Sequence, residues 1–192
     1  MLNHPEIVLK DIARLAKSTS DIFLLDGSDM TSIKAAIAGK VGTPFEGGMF
    51  SVTISIPTEY PFKYPKFHIK DKIFHPNVHP YDGRVCVDLL KEKWSPSITL
   101  YAACEVIQAL MGEPNPDSPL NVDAACMMGK NREMYDRTAL TWTKHFASGV
   151  HSYPPYEEMI QQVTELNGSK KAAIKLLTAA SWDVEVACNQ VI

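Results

Sequence analysis

The residues best suited to chemistry lie in one stretch, His75-Pro76-Asn77-Val78-His79-Pro80-Tyr81-Asp82-Gly83-Arg84-Val85-Cys86-Val87-Asp88-Leu89-Leu90. Cys86 supplies a thiol, whose deprotonated form is a strong nucleophile. Pro76 and Pro80 fix φ and withhold backbone donors, so no helix or central strand is expected through this stretch. Asp82-Gly83 marks a turn, and a short apolar segment, Val85 to Leu90, follows before Trp94-Ser95-Pro96 breaks the chain again. A thiol on a proline-pinned loop is placed to attack an electrophile. The plain alternative is a small buried hydrophobe, the usual state of a free cysteine. No His–Asp pair and no basic run neighbours Cys86. Asn77 lies just upstream, and its amide has two readings, an oxyanion donor or a side chain pinning a turn. A thiol with a neutral amide donor and no evident base fits acyl transfer through a thioester, because the acyl group arrives already activated.

The flanking sequence must hold this loop. Pro5 to Lys17 predicts an amphipathic helix, with Val8, Ile12 and Leu15 on one stripe and Lys10, Arg14 and Lys17 away from it. Four strands follow, at Ile22 to Leu25, Ser32 to Ala38, Met49 to Ile56 and Lys66 to Lys70. In the third, Phe50, Val52, Ile54 and Ile56 alternate with Ser51, Thr53 and Ser55, the pattern of a half-buried antiparallel strand. Short connections make a four-stranded meander the economical topology. Tyr60-Pro61 is an aromatic–proline pair, which favours a cis bond. Beyond the loop, Thr99 to Met111, Val122 to Met128 and Arg132 to Phe146 read as helices. Cys104 falls on the apolar stripe of the first of these, and Cys126 reads as packing.

Composition bounds the function. The chain has 192 residues, 45% of them hydrophobic and 21% charged, with a net charge of −3. That balance argues against nucleic acid as a partner, and no apolar run approaches a membrane span of about 18 residues. Met1-Leu2-Asn3-His4-Pro5-Glu6 has no secretory pattern. Cys86, Cys104, Cys126 and Cys188 lack CxxC spacing, so no metal site and no disulfide scaffold is expected, and a reducing cytoplasm or nucleus fits a working thiol. Gly149, Ser152, Pro154 and Pro155 mark a boundary. The expected organisation is a catalytic domain over 1–149, a linker over 150–155 and three short helices over 156–192.

His75-Pro76-Asn77, Gly83-x-x-Cys86, Trp94-Ser95-Pro96 and Pro114-Asn115-Pro116-Asp117-Ser118-Pro119-Leu120, in that order, resemble the signature of ubiquitin-conjugating enzymes. Pro44-Phe45-Glu46-Gly47-Gly48 and Tyr60-Pro61-Phe62-Lys63-Tyr64-Pro65-Lys66 match upstream, so the resemblance spans about 150 residues and is far more specific than one motif. The tail resembles a UBA domain through Ser181-Trp182-Asp183-Val184-Glu185-x-Ala187, as in members of that family that build polyubiquitin. Three departures stand out. Lys40 follows Gly39 where a proline is usual, and Ile33 stands near a position often held by Trp. Leu166-Asn167-Gly168 replaces the Met-Gly-Phe/Tyr loop with which a UBA meets ubiquitin, so free ubiquitin is expected to bind the tail weakly.

The resemblance implies an α+β fold, the four-stranded antiparallel meander with flanking helices, plus a small three-helix UBA-like domain. It implies that Cys86 accepts ubiquitin from the activating enzyme and passes it to a substrate or ubiquitin lysine. Asn77 would stabilise the tetrahedral intermediate or hold the loop, and His75 would anchor it. Ser118 falls at a gate position that is Asp or Ser among members, with Asp117 the adjacent carboxylate. Phe62, Trp94, Pro96 and Ser97 fall on the loops that dock ligases, Phe62 reading as exposed and Trp94 as core, while Lys10 and Arg14 are candidate contacts for the activating enzyme. Partners implied are ubiquitin, the activating enzyme, ligases and substrate proteins, with the chain a monomer. No cofactor is expected: ATP is consumed by the activating enzyme, and no P-loop is present here. Among other classes, the same fold carrying a different modifier stays open. A silent variant would lack Cys86, and an adaptor acting through the tail would be expected to keep Met-Gly-Phe.

Overall fold

The computed structural model describes residues 2–18, 21–86 and 88–191, with Leu89 described for its backbone only; Val87 of the predicted apolar segment and Ile192 of the predicted tail lie outside the described residues. Helix α1, Pro5–Lys17, leads into β1, Ile22–Asp26, β2, Ser32–Ala38, β3, Met49–Ser55, and β4, Lys66–Ile69. These strands form one antiparallel sheet in the order β1-β2-β3-β4, the expected meander. Phe50, Val52 and Ile54 face the core as their alternation requires, and Ile33, Ala35 and Ile37 join them from β2. Ile33 is therefore a core residue. The Tyr60-Pro61 bond is cis.

Then come α2, Asp88–Lys93, α3, Leu100–Gly112, α4, Val122–Lys130, and α5, Arg132–Phe146. Thr99 caps α3, its hydroxyl accepting from Ala102 N at 3.2 Å. The helix buries Leu100, Ala103, Cys104, Ile107 and Met111 in the same core as the strands. Cys104 thus packs as its stripe predicts. Cys126, on α4, is exposed instead of packed, because only Ala124 of that helix is buried. The six-residue α2 replaces the expected apolar segment after Cys86; it is too short to show a helical period in sequence.

Helices α6, Pro154–Asn167, α7, Lys170–Ala179, and α8, Val184–Asn189, form the tail. Helix α6 starts inside the stretch read as linker, because Pro at the first helical position is pre-organised for helix. Tyr156, Ile160, Val163, Ile174, Leu177, Trp182 and Ala187 make a second core, against which Met134, Trp142 and Phe146 of α5 also pack. Two hydrogen bonds clasp the units. Trp142 Nε1 donates to Thr178 Oγ1 at 2.9 Å, and Trp182 Nε1 donates to Thr138 Oγ1 at 2.8 Å. Each threonine hydroxyl also donates to the carbonyl four residues back, so it has a lone pair free to accept the indole. Trp182 reaches Thr138 because Ser181 and Trp182 both take the left-handed conformation, with φ of 53° and 64°. That conformation is rare for a bulky side chain and costs on the order of 1–3 kcal/mol. Burial of Trp182 and its stacking on Tyr156, ring centres 3.5 Å apart, offset it. Glu157 adds an ion pair to Lys144 and a hydrogen bond to His145 of α5, each at 2.9 Å.

Replacing Trp182 by Phe removes one indole bond, worth about 1 kcal/mol. We expect backbone amides of α6–α8 to exchange about fivefold faster while the sheet is unaffected. Unchanged exchange in the tail would show that this bond does not hold it.

Candidate active site

The loop around Cys86 is an irregular hairpin attached to the sheet. Val78 and Val85 form an antiparallel bridge, His79 N donates to Arg84 O at 2.9 Å, and Cys86 N donates to Asn77 O at 2.8 Å. Its outer side joins β4: Ile69 N donates to Gly83 O at 2.8 Å and Val85 N to Phe67 O at 3.0 Å. The sheet edge is thus extended by one short segment, and that segment delivers Cys86. Gly83 is required there. It has φ of 74°, and a Cβ would lie 1.9 Å from Ile69 O.

His75 and Asn77 fix the hairpin's base. His75 is fully buried. Its Nε2 lies 3.1 Å from Leu110 O of α3, which can only accept, so Nε2 carries the proton. Its Nδ1 then accepts from Asn77 N at 3.0 Å. Burial lowers the His75 pKa to about 4, so at neutral pH the ring is uncharged. A neutral ring with both nitrogens engaged is an anchor and not a base.

Asn77 has 1% exposure, and its side chain binds the loop of residues 114–121. Nδ2 donates to Asn115 O at 2.6 Å, while Oδ1 accepts from Asn115 N at 2.8 Å. Ser118 O lies at the limit of bonding, 3.5 Å from Nδ2. Leu120 N and Asn121 N both donate to Pro76 O, at 2.8 and 2.9 Å. Asn115 Oδ1 accepts from Asp117 N at 3.0 Å and shapes the turn. Asp117 and Ser118 are exposed on this pinned loop. The structure therefore brings Cys86, Asn77 and the main chain of Asn115 and Ser118 into one bonded unit.

Sequence reasoning missed Asp88. The Cys86 thiol is half-buried and donates to Asp88 Oδ2 at 3.2 Å. Burial raises the thiol's pKa first of all; the Asp88 backbone N–H opposes this, and the Asp88 carboxylate adds to it through its hydrogen bond and its charge. The stretch after Cys86 reads as apolar, yet its second residue is a carboxylate that the start of α2 turns back onto the sulfur.

The remaining candidates gather elsewhere. Trp94 is half-buried, and its Nε1 donates to Pro61 O at 2.7 Å, joining the Phe62 loop to the Trp94–Ser97 loop. Tyr60 OH donates to the buried Asp11 at 2.6 Å, tying both loops to α1. Phe62 is 66% exposed with the His4 ring edge-on to it, and Pro96, Ser97, Lys10 and Arg14 are exposed as well. Among the described residues no cluster of His, Cys, Asp or Glu has the makings of a metal site.

Replacing Asp88 by Asn removes a negative charge beside the sulfur, so the thiol should ionise at lower pH. The pH dependence of Cys86 alkylation reads this directly. An unchanged or higher midpoint would mean that Asp88 does not govern the thiol.

Comparison with known proteins gives one consistent result. Residues 7–143 match the family model described as ubiquitin-conjugating enzyme. The human ubiquitin-conjugating enzyme E2 K is 35% identical over 90% of this chain and 86% of its own length. Ubiquitin-conjugating enzyme E2 27 of Arabidopsis thaliana is 31% identical over 95% of this chain and 93% of its own, a match that runs into the tail. In structure, the E2 domain of a Toxoplasma gondii ubiquitin conjugating enzyme superposes with a TM-score of 0.68 and 38% identity, covering 73% of this chain and 96% of that one.

Proposed function

This chain belongs to the ubiquitin-conjugating enzyme family, transferases that act through a cysteine thioester, and on that premise we propose that Cys86 is the cysteine that carries ubiquitin. The observation that carries the assignment is a half-buried thiol whose own amide is held by Asn77 O and whose sulfur meets Asp88 at 3.2 Å. Cys104 is buried in α3 with its pKa pushed up to about 12 by burial. Cys126 and Cys188 sit on α4 and α8, outside the bonded unit.

In charging, the Cys86 sulfur gives its proton to solvent, from which the departing thiolate regains one, and attacks the thioester carbonyl on the activating enzyme. A new C–S bond forms, the old one breaks, and the activating enzyme's thiolate leaves. In discharge, a neutral lysine amine attacks the Cys86 thioester; the C–N bond forms, the C–S bond breaks and the Cys86 thiolate leaves. Asp88 stands where it can accept the amine's proton. Ser118 offers a hydroxyl and Asp117 a further carboxylate on the pinned loop. Asn77 takes both of its roles at once. One Nδ2 hydrogen is committed to Asn115 O, and the second is held only loosely towards Ser118 O at 3.5 Å, which leaves it for an oxyanion.

Ubiquitin, the activating enzyme and ligases are the partners the family implies. Phe62, Trp94, Pro96 and Ser97 form the ligase-docking face, with Lys10 and Arg14 meeting the activating enzyme from α1. The UBA-like tail, packed on α5, biases transfer towards ubiquitin lysines and so towards polyubiquitin. The chain works as a monomer that binds no cofactor, in the reducing cytoplasm and nucleus.

Incubation with activating enzyme, ATP and each purified modifier tests this reading. Ubiquitin should give a reductant-labile adduct, and Cys86→Ser a reductant-resistant one. Asn77→Ala should charge but discharge to lysine about 10²-fold more slowly. A labile adduct on Cys86→Ser, or normal discharge by Asn77→Ala, would contradict the respective roles.

A further inference from the structure

A groove of about 340 Å³ lies where the tail meets the catalytic unit. Phe74 and Trp142 supply its aromatic lining, and Pro80 and Tyr81 at the hairpin tip border it. Asp123 at the start of α4 and Lys175, Thr178 and Ala179 of α7 also line it, with Lys72 and Asn121. The groove therefore exists only while α7 is clasped to α5 through Trp142 and Thr178. Its hairpin side is pre-organised, because Lys72 Nζ donates to Pro80 O and Tyr81 O at 3.3 Å. Tyr81 is 85% exposed, and among the described residues its aromatic neighbour is the edge of the His79 ring. Lys175 and Asp123 are both exposed and make no ion pair among the described residues.

We propose that this composite groove docks the acceptor ubiquitin, the one whose lysine attacks the Cys86 thioester. The proposal rests on the assignment of Cys86. Two observations select the occupant. The groove's wall and the nucleophile belong to one hairpin, with Cys86 at its base beside Asn77 and Tyr81 at its tip, so an occupant is held about 17 Å or less along the strand from the sulfur. A globular domain of about 100 residues has a radius of gyration of about 13 Å and spans that gap without unfolding. The lining also offers an aromatic surface flanked by the cations of Lys72 and Lys175 and the anion of Asp123, which complements a folded protein face carrying an apolar patch flanked by charges of both signs. The tail thus takes part in acceptor choice by building a wall and not by capturing free ubiquitin through Leu166-Asn167-Gly168.

The test uses the full-length protein charged with donor ubiquitin and chased with acceptor ubiquitin, with free lysine, or with a ligase-delivered substrate. Ala179→Arg fills the groove from an exposed position, and Tyr81→Ala removes the aromatic wall. Both should charge normally and discharge to free lysine at the wild-type rate, while the KM for acceptor ubiquitin rises about tenfold. A charge swap at Lys175→Glu should raise it as well. Unchanged acceptor KM in Ala179→Arg and Tyr81→Ala overturns the proposal, and a loss confined to ligase-delivered substrate overturns its choice of occupant. Failure of the wild-type chain to charge at Cys86 would instead strike the underlying functional reading, so the two failures are distinguishable.

Discussion

Everything at the site depends on how one buried asparagine divides its bonds. Asn77 uses its main-chain N–H on His75, its carbonyl on Cys86, and its side chain on Asn115. His75 passes the restraint on to Leu110 of α3, whose apolar stripe is locked into the sheet core. The position of the nucleophile and that of the 114–121 loop are therefore set by the same residue. Burial makes this expensive to break. A buried amide or imidazole left without its partner costs about 1–3 kcal/mol, more than the bond itself contributes. The His75 pKa of about 4 also gives the lock a pH range. The unfolded ring binds its proton more readily, so the contribution is complete above the ordinary value of 6.5 and is lost as pH falls towards 4.

The thiol sits in a less comfortable place than the anchor. Burial and the Asp88 carboxylate both disfavour the thiolate, so the resting sulfur is protonated. A raised pKa makes a poorer leaving group but a more intrinsically nucleophilic thiolate. For a carrier that must accept an acyl group and then keep it until a lysine arrives, both properties help. The carboxylate that hinders ionisation in the free enzyme is the same group that can take a proton from the incoming amine. The tail meets α5 through an aromatic, hydrogen-bonded and ionic seam that fixes α7 beside the hairpin tip.

Much of this was legible in the residues. The alternation of Phe50, Val52 and Ile54 and the short connections around it fix the meander, and the stripe from Leu100 to Met111 fixes α3. Pro76, Pro80 and Asp82-Gly83 mark the loop correctly because proline and glycine act locally. The contact between Asn77 and Asn115 spans 38 residues, and no local pattern announces it. Asp88 was hidden for a different reason: a six-residue helix has no period to read, so a carboxylate two positions from the cysteine passed as part of an apolar run. Cys126 reads as packing, but among its described residues α4 buries only one small residue, Ala124, and leaves the thiol outside. The clasp between Trp182 and Thr138 depends on two left-handed residues that are not glycine, which propensity rules do not anticipate.

The claim that Asn77 holds the nucleophile and the 114–121 loop as a single unit is tested most directly by native-state hydrogen exchange at two amides. Cys86 N–H is bonded to Asn77 O and Asn115 N–H to Asn77 Oδ1. If one lock governs both, the two amides open with the same free energy and the same denaturant dependence, and His75→Ala lowers both by equal amounts. Distinct opening free energies, or a His75→Ala effect on one amide alone, would contradict it.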